Sequence, residues 1–195
     1  NDDAYFPHVS EGIDSEARNE FLCLASATYD AAAPGLSSDL VSPQSAFIHS
    51  IALRANDYGQ MAADGTALIW SPRSNITLYG DTAQVTQAAR LGTLLTIGTD
   101  WVLTGSYNLQ RELQCAADLN DTYYGGYFSH RDLWKMVTVN AAMASGIDDV
   151  TGVLAVGKQA DIAIFAAGEF SNFGAAIFAK PEATALVMRG GKIIY

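Results

Sequence analysis

Three apolar runs each deliver a polar group suited to holding a cation or moving a proton. Ala4-Tyr5-Phe6-Pro7 leads to His8 and, three residues on, Glu11. Ala46-Phe47-Ile48 leads to His49, and Leu94-Leu95-Thr96-Ile97-Gly98-Thr99 leads to Asp100. Parallel α/β sheets place their chemistry at the carboxyl ends of their strands, so groups at these positions read as one shared site. Helical patterns between the runs favour that architecture. Ile13 to Tyr29 reads as an amphipathic helix with Ala17, Phe21, Leu24 and Ala25 inward and Asp14 or Ser15 as its cap. A loop from Ala31 to Ser45, carrying Pro34, Gly35 and Pro43, separates it from the His49 run. A helix over Arg54 to Ala63 follows, then a stop at Gly65 and a buried strand Thr66 to Trp70. Ser71-Pro72-Arg73-Ser74-Asn75 reads as a polar loop, and Asp81 or Thr82 as the cap of a helix running through Arg90 to Gly92. Strand and helix thus alternate, which implies right-handed crossovers and a parallel sheet.

Tyr107 to Leu119 and Ser129 to Ser145 read as further helices, the second opened by a Ser129/Asp132 capping pair. From Gly152 the pattern changes to glycine turns and short β-branched runs. Ala185 to Met188 and Lys192 to Tyr195 form a hairpin around Arg189-Gly190-Gly191, and the segment reads as all β. Residues 1–150 are therefore expected to form one α/β unit and 151–195 a second, β unit.

Composition excludes several function classes. The net charge of −10 comes from Asp and Glu spread along the chain without a Lys/Arg cluster, which argues against a nucleic-acid-binding face. No apolar run is long enough to span a bilayer. Cys23 and Cys115 sit far apart in helical segments, as expected of reduced thiols in a cytoplasmic protein.

Six elements in order carry a family resemblance: His8-Val9-Ser10-Glu11; His49; Ser71-Pro72-Arg73-Ser74-Asn75; Gly98-Thr99-Asp100; Asn140-Ala141-Ala142; and Gly152-x-Leu154-x-x-Gly157-Lys158-x-Ala160-Asp161. Together they resemble the later half of an amidohydrolase-superfamily enzyme, in the branch of cytosine and guanine deaminases and chlorohydrolase-like proteins. The resemblance implies an α/β fold: the second half of a metal-dependent hydrolase (β/α)8 TIM barrel, strands five to eight with helices, followed by part of a small β-sandwich. It implies hydrolysis of C–N bonds in a small cyclic or heterocyclic substrate. Cyclic-amide or chloro-heterocycle hydrolysis and a non-catalytic scaffold are the alternatives.

Under that resemblance His8 and Asp100 are expected to ligate a divalent metal, Zn or Fe, and Glu11 to shuttle a proton beside it. His49 is expected to act catalytically as an electrostatic partner of the water or substrate oxygen. Asn75 and Trp101 are expected near the substrate, with Trp70 and Tyr107 as further candidates for a flat pocket. His130 reads as a surface helix residue. The family's His-x-His pair is absent from a chain whose histidines are His8, His49 and His130. Two further metal ligands are thus expected from an amino-terminal segment, and the chain is expected to be an inactive half on its own, associating with that segment or with a second copy.

Overall fold

The computed structural model describes residues 4–32 and 35–195. Its principal sheet contains β1 (His8–Val9), β2 (Ala46–His49), β3 (Ala67–Trp70) and β4 (Leu95–Ile97), all parallel and in that spatial order. Val9 pairs with His49 and Trp70 with Ile97, so the pairing register brings the carboxyl ends of neighbouring strands level. The strands are almost wholly buried: β4 has no exposed residue, and Phe47, Leu68 and Trp70 lie at 0% exposure. Such runs need a helical cover on their outer face.

That cover is supplied in sequence order. Helix α1 (Ser15–Leu24) is capped by Asp14, whose carboxylate accepts from the Ala17 amide at 2.9 Å. It stops five residues short of the expected Tyr29. The chain doubles back, and the amides of Ser38 and Leu40 take the carbonyls of Cys23 and Leu24 that a longer helix would have used. Pro34, expected in this connection, lies outside the described residues. Helix α2 (Ala55–Ala63) starts one residue after Arg54 and is followed by Gly65, as the pattern predicts.

The segment read as a polar loop at Ser71 to Asn75 is instead the first turn of α3 (Pro72–Tyr79). Proline at the first helical position has no amide to leave unpaired, and Gly80 at φ 67° ends the helix. Neither Asp81 nor Thr82 caps the next helix. Helix α4 (Val85–Leu91) begins after Gln84, because the Thr82 hydroxyl is engaged in the interior.

Helix α5 (Leu109–Thr122) is capped by Asn108. The expected continuous helix from Ser129 to Ser145 is broken into α6 (His130–Met136) and α7 (Val139–Ala144). The Ser129/Asp132 capping box forms as expected. The break falls at two β-branched residues: Thr138 leaves helical geometry at φ −128°, ψ −99°, and its hydroxyl bonds back to the Trp134 carbonyl. The break lets α7 turn so that the Asn140 amide donates to the Leu95 carbonyl of β4 at 2.9 Å. His130 is not a free surface residue; it packs edge-to-face on Phe178 with centroids 5.5 Å apart.

The second sheet, β5 (Ile162–Phe165), β6 (Thr184–Arg189) and β7 (Lys192–Ile193), is antiparallel. Gly190 and Gly191, at φ 55° and 78°, form the expected two-residue hairpin turn. The segment is not all β. Helix α8 (Asn172–Ile177) and a 3₁₀ turn (Pro181–Ala183) interrupt it, and Ile177 is fully buried in the same core as Phe21, Phe47, Met61 and Leu133. No helix among the described residues is long and apolar enough to cross a membrane.

Gly152 is where the segment after α7 meets the helix, at φ 94°. A Cβ there would lie 2.6 Å from the Ala142 Cβ and 3.3 Å from the Val139 Cα. Gly152→Ala is therefore expected to destabilise the fold by about 1–3 kcal/mol through crowding and a left-handed backbone. Urea denaturation should show a lowered midpoint; an unchanged midpoint would mean that α7 shifts freely.

Candidate functional site

His8 opens the two-residue β1, with Glu11 just beyond its end; His49 ends β2, and Asp100 lies three residues beyond β4. His49, Ser50, Ser10 and Asp100 all have positive φ, 70°, 53°, 54° and 54°. Such backbone is uncommon away from glycine and clusters where a chain must aim a side chain. It is held here by specific bonds. The Tyr58 hydroxyl donates to the Ser50 carbonyl at 2.7 Å, the Ser50 amide to Val9 at 3.0 Å, and the Ser10 amide to the Glu20 carboxylate at 2.8 Å.

The four polar residues at the run ends come together. His49 Nε2 lies 3.1 Å from His8 Nδ1, 3.5 Å from Glu11 Oε2 and 4.0 Å from Asp100 Oδ1. Glu11 Oε2 is 3.3 Å from His8 Nδ1. His8, His49 and Asp100 each offer one ligand atom, all within 4.8 Å of one another. Two imidazole nitrogens and a carboxylate oxygen gathered this closely form a donor set that suits a divalent ion such as zinc. The resemblance implies His8 and Asp100 as ligands with His49 beside them, and in the structure all three lie in one group.

Helix α3 holds these groups from one side. Ser74, fully buried, donates its hydroxyl to Asp100 Oδ2 and shares a contact with Thr104 Oγ1 at 2.9 Å. Asn75, also fully buried, sets its Oδ1 2.8 Å from His49 Nδ1 and donates its amide to Thr82 Oγ1 at 3.1 Å. One turn on, the Tyr79 hydroxyl donates to Glu11 Oε1 at 3.2 Å. Burial, and then the nearby Glu11 carboxylate, push the Tyr79 phenol above its ordinary pKa, so it remains a donor at neutral pH.

Asn75, expected near the substrate, is thus enclosed with both ends of its amide engaged by protein, and its place is behind His49. Trp101 follows Asp100 directly in the chain and is 62% exposed. Trp70 is fully buried and gives its indole N–H to Thr82 at 2.7 Å, so it is core; Tyr107 is exposed with Arg111 over its ring. The supporting roles of Ser74, Tyr79, Thr82 and Thr104 are not evident from the sequence: Ser74 lies inside the Ser71–Asn75 motif, whereas nothing local marks Tyr79 or Thr104.

The chain belongs to the amidohydrolase family. That family's model matches residues 36–194. A 5-methylthioadenosine/S-adenosylhomocysteine deaminase of Teredinibacter turnerae is 30% identical over 126 residues, covering 63% of this chain and 28% of the relative. Among solved structures, a zinc-bound adenosine deaminase of Xanthomonas campestris superposes with a TM-score of 0.79 at 20% identity, covering 97% of this chain and 45% of that one. The zinc-complexed atrazine chlorohydrolase of Arthrobacter aurescens gives 0.74 at 20%, covering 99% and 44%. These two solved structures show the fold alone, and the chain spans less than half the length of each.

Glu112 of α5, at 0% exposure, anchors the amino end of α3 by accepting the Arg73 amide at 2.9 Å. Burial raises its pKa, only partly countered by Ser106 and Arg73. A carboxyl raised in the folded state contributes stability that is present at acid pH and lost as pH rises through the folded pKa. Glu112→Gln is therefore expected to melt higher than wild type near pH 8, with the gap closing toward pH 5. Thermal melts of both proteins across that range test it, and a wild type more stable at pH 8 would refute it.

Proposed function

We propose that this chain carries the metal-holding and proton-transferring groups of a hydrolase that acts on a C–N bond of a heterocyclic amine, releasing ammonia. The observation that carries the reading is the convergence of His8, Glu11, His49 and Asp100 at the carboxyl ends of parallel strands. Family membership and the deaminase names of the curated relatives support the substrate class.

In this reading His8, His49 and Asp100 hold a divalent ion, zinc or iron. When bound, such an ion supplies Lewis-acid activation of water at neutral pH. Glu11 is placed to move the proton. Its Oε1 is steadied by Tyr79, while its Oε2 faces the two imidazoles. It accepts a proton from the attacking water and returns it to the departing nitrogen, so that a C–O bond forms, the C–N bond breaks and ammonia leaves. Asp100, held through Oδ2 by Ser74, keeps Oδ1 turned toward His49. Trp101 offers an exposed aromatic face on which a flat ring can stack.

Two substitutions separate the roles. In the complete enzyme, Glu11→Gln keeps the shape but cannot take a proton, and is expected to lower ammonia release from adenine-type nucleosides by about 10²–10⁴-fold while leaving zinc content unchanged. Asp100→Asn removes a charged oxygen and is expected to lower zinc content and rate together. Metal analysis after dialysis and an ammonia assay on both variants decide this. Metal loss in Glu11→Gln but not in Asp100→Asn would reverse the assignments, and no change in rate for either would end the hydrolase reading.

A further inference from the structure

We infer that a buried chain of hydrogen bonds, Trp70–Thr82–Asn75, fixes the ring tautomer of His49, keeping the proton on Nδ1 and a lone pair on Nε2, and that Asn75 is the positioning residue. The inference deepens the proposed function, on which its significance for metal binding rests.

An indole N–H can only donate, so Thr82 Oγ1 accepts from Trp70 at 2.7 Å. Asn75 Nδ2 donates to the same oxygen at 3.1 Å, which turns Asn75 Oδ1 toward His49 Nδ1 at 2.8 Å. An amide oxygen carries no hydrogen, so the ring nitrogen must supply it. Trp70, Asn75 and His49 are 0% exposed and Thr82 4%, leaving no solvent to substitute for a lost partner.

The other side of the ring accommodates that tautomer. His8 Nδ1 lies 3.1 Å from His49 Nε2 and 3.3 Å from Glu11 Oε2. With a lone pair on His49 Nε2, one proton on His8 Nδ1 serves both neighbours. His49 then presents an electron pair to the point shared by His8 and Asp100. A ligating histidine whose second nitrogen donates to a fixed acceptor has its tautomer and orientation set in this way, and losing the acceptor costs about 10–100-fold in metal affinity.

Two-bond ¹H–¹⁵N correlation spectra of the metal-free protein read the tautomer directly. The protein has three histidines, and His49 is assigned by its absence in His49→Gln. The expected result is a single His49 ring protonated on Nδ1 in wild type, a second tautomer in Asn75→Leu, and return to the first in Asn75→Asp, whose carboxylate only accepts. Thr82→Val, a milder change, is expected to populate both tautomers by freeing the amide to turn. Zinc affinity, measured by calorimetry, should fall about 10–100-fold in Asn75→Leu and recover in Asn75→Asp. A merely structural role would lower the melting temperature without moving the ring signals. A wild-type ring protonated on Nε2, or an unchanged ring in Asn75→Leu, overturns the inference. If the tautomer behaves as stated but wild-type protein binds no zinc, the inference stands and the functional proposal fails. Zinc binding with an Nε2-protonated ring in the metal-free protein means the reverse.

Discussion

The left-handed backbone at the strand ends is the constraint on which the rest of the site depends. Ser10 follows β1, His49 ends β2 with Ser50 next, and Asp100 lies three residues past β4, and each takes a positive φ that costs on the order of 1–3 kcal/mol without glycine. The cost is met by neighbouring structure. Tyr58 from α2 holds the Ser50 carbonyl, the Ile51 amide takes the Ser10 carbonyl at 3.1 Å, and Ser50 reaches back to Val9. A substitution that relaxed one of these turns would swing its side chain away from the point where the others meet.

Helix α3 is the second part of the device. Three of its residues each hold a different site group: Ser74 reaches Asp100, Asn75 reaches His49, and Tyr79 reaches Glu11. Asn75 and Tyr79 are four residues apart and so share a helix face. The helix is fixed in turn at its amino end by the Glu112 carboxylate from α5 and through Thr82 by the Trp70 indole. Groups contributed by β1, β2 and β4 are thereby referred to one rigid element. Catalytic and metal constellations need supporting contacts of this kind if their geometry is to be reproduced from molecule to molecule.

Much of this architecture was legible in the residues. Buried parallel strands read as apolar runs, so the ends of β1, β2 and β4 could be located, and with them His8, His49 and Asp100. Glycine and capping residues marked Gly65, Gly92 and the Ser129/Asp132 box, whereas Ser71 to Asn75, which reads as a loop, opens α3. What escaped depends on groups distant in sequence. Helix α1 ends at Leu24 because residues 38–40 return to bond its last carbonyls. The break at Thr138 lets Asn140 reach β4, and α8 exists because Ile177 completes the core. Thr82 looked like a helix cap because threonine caps helices; its hydroxyl instead accepts from two residues whose proximity is purely tertiary. The same holds for Tyr79, which meets Glu11 across 68 positions of sequence.

The central claim is that His8, His49 and Asp100 form one divalent-metal centre. Anomalous diffraction at the zinc edge from crystals of the protein grown with zinc tests it most directly. The account predicts a single strong peak within bonding distance of all three side chains, with Glu11 beside it and outside the coordination sphere. A peak that omits Asp100, or zinc seated elsewhere with these residues paired only to one another, would contradict it.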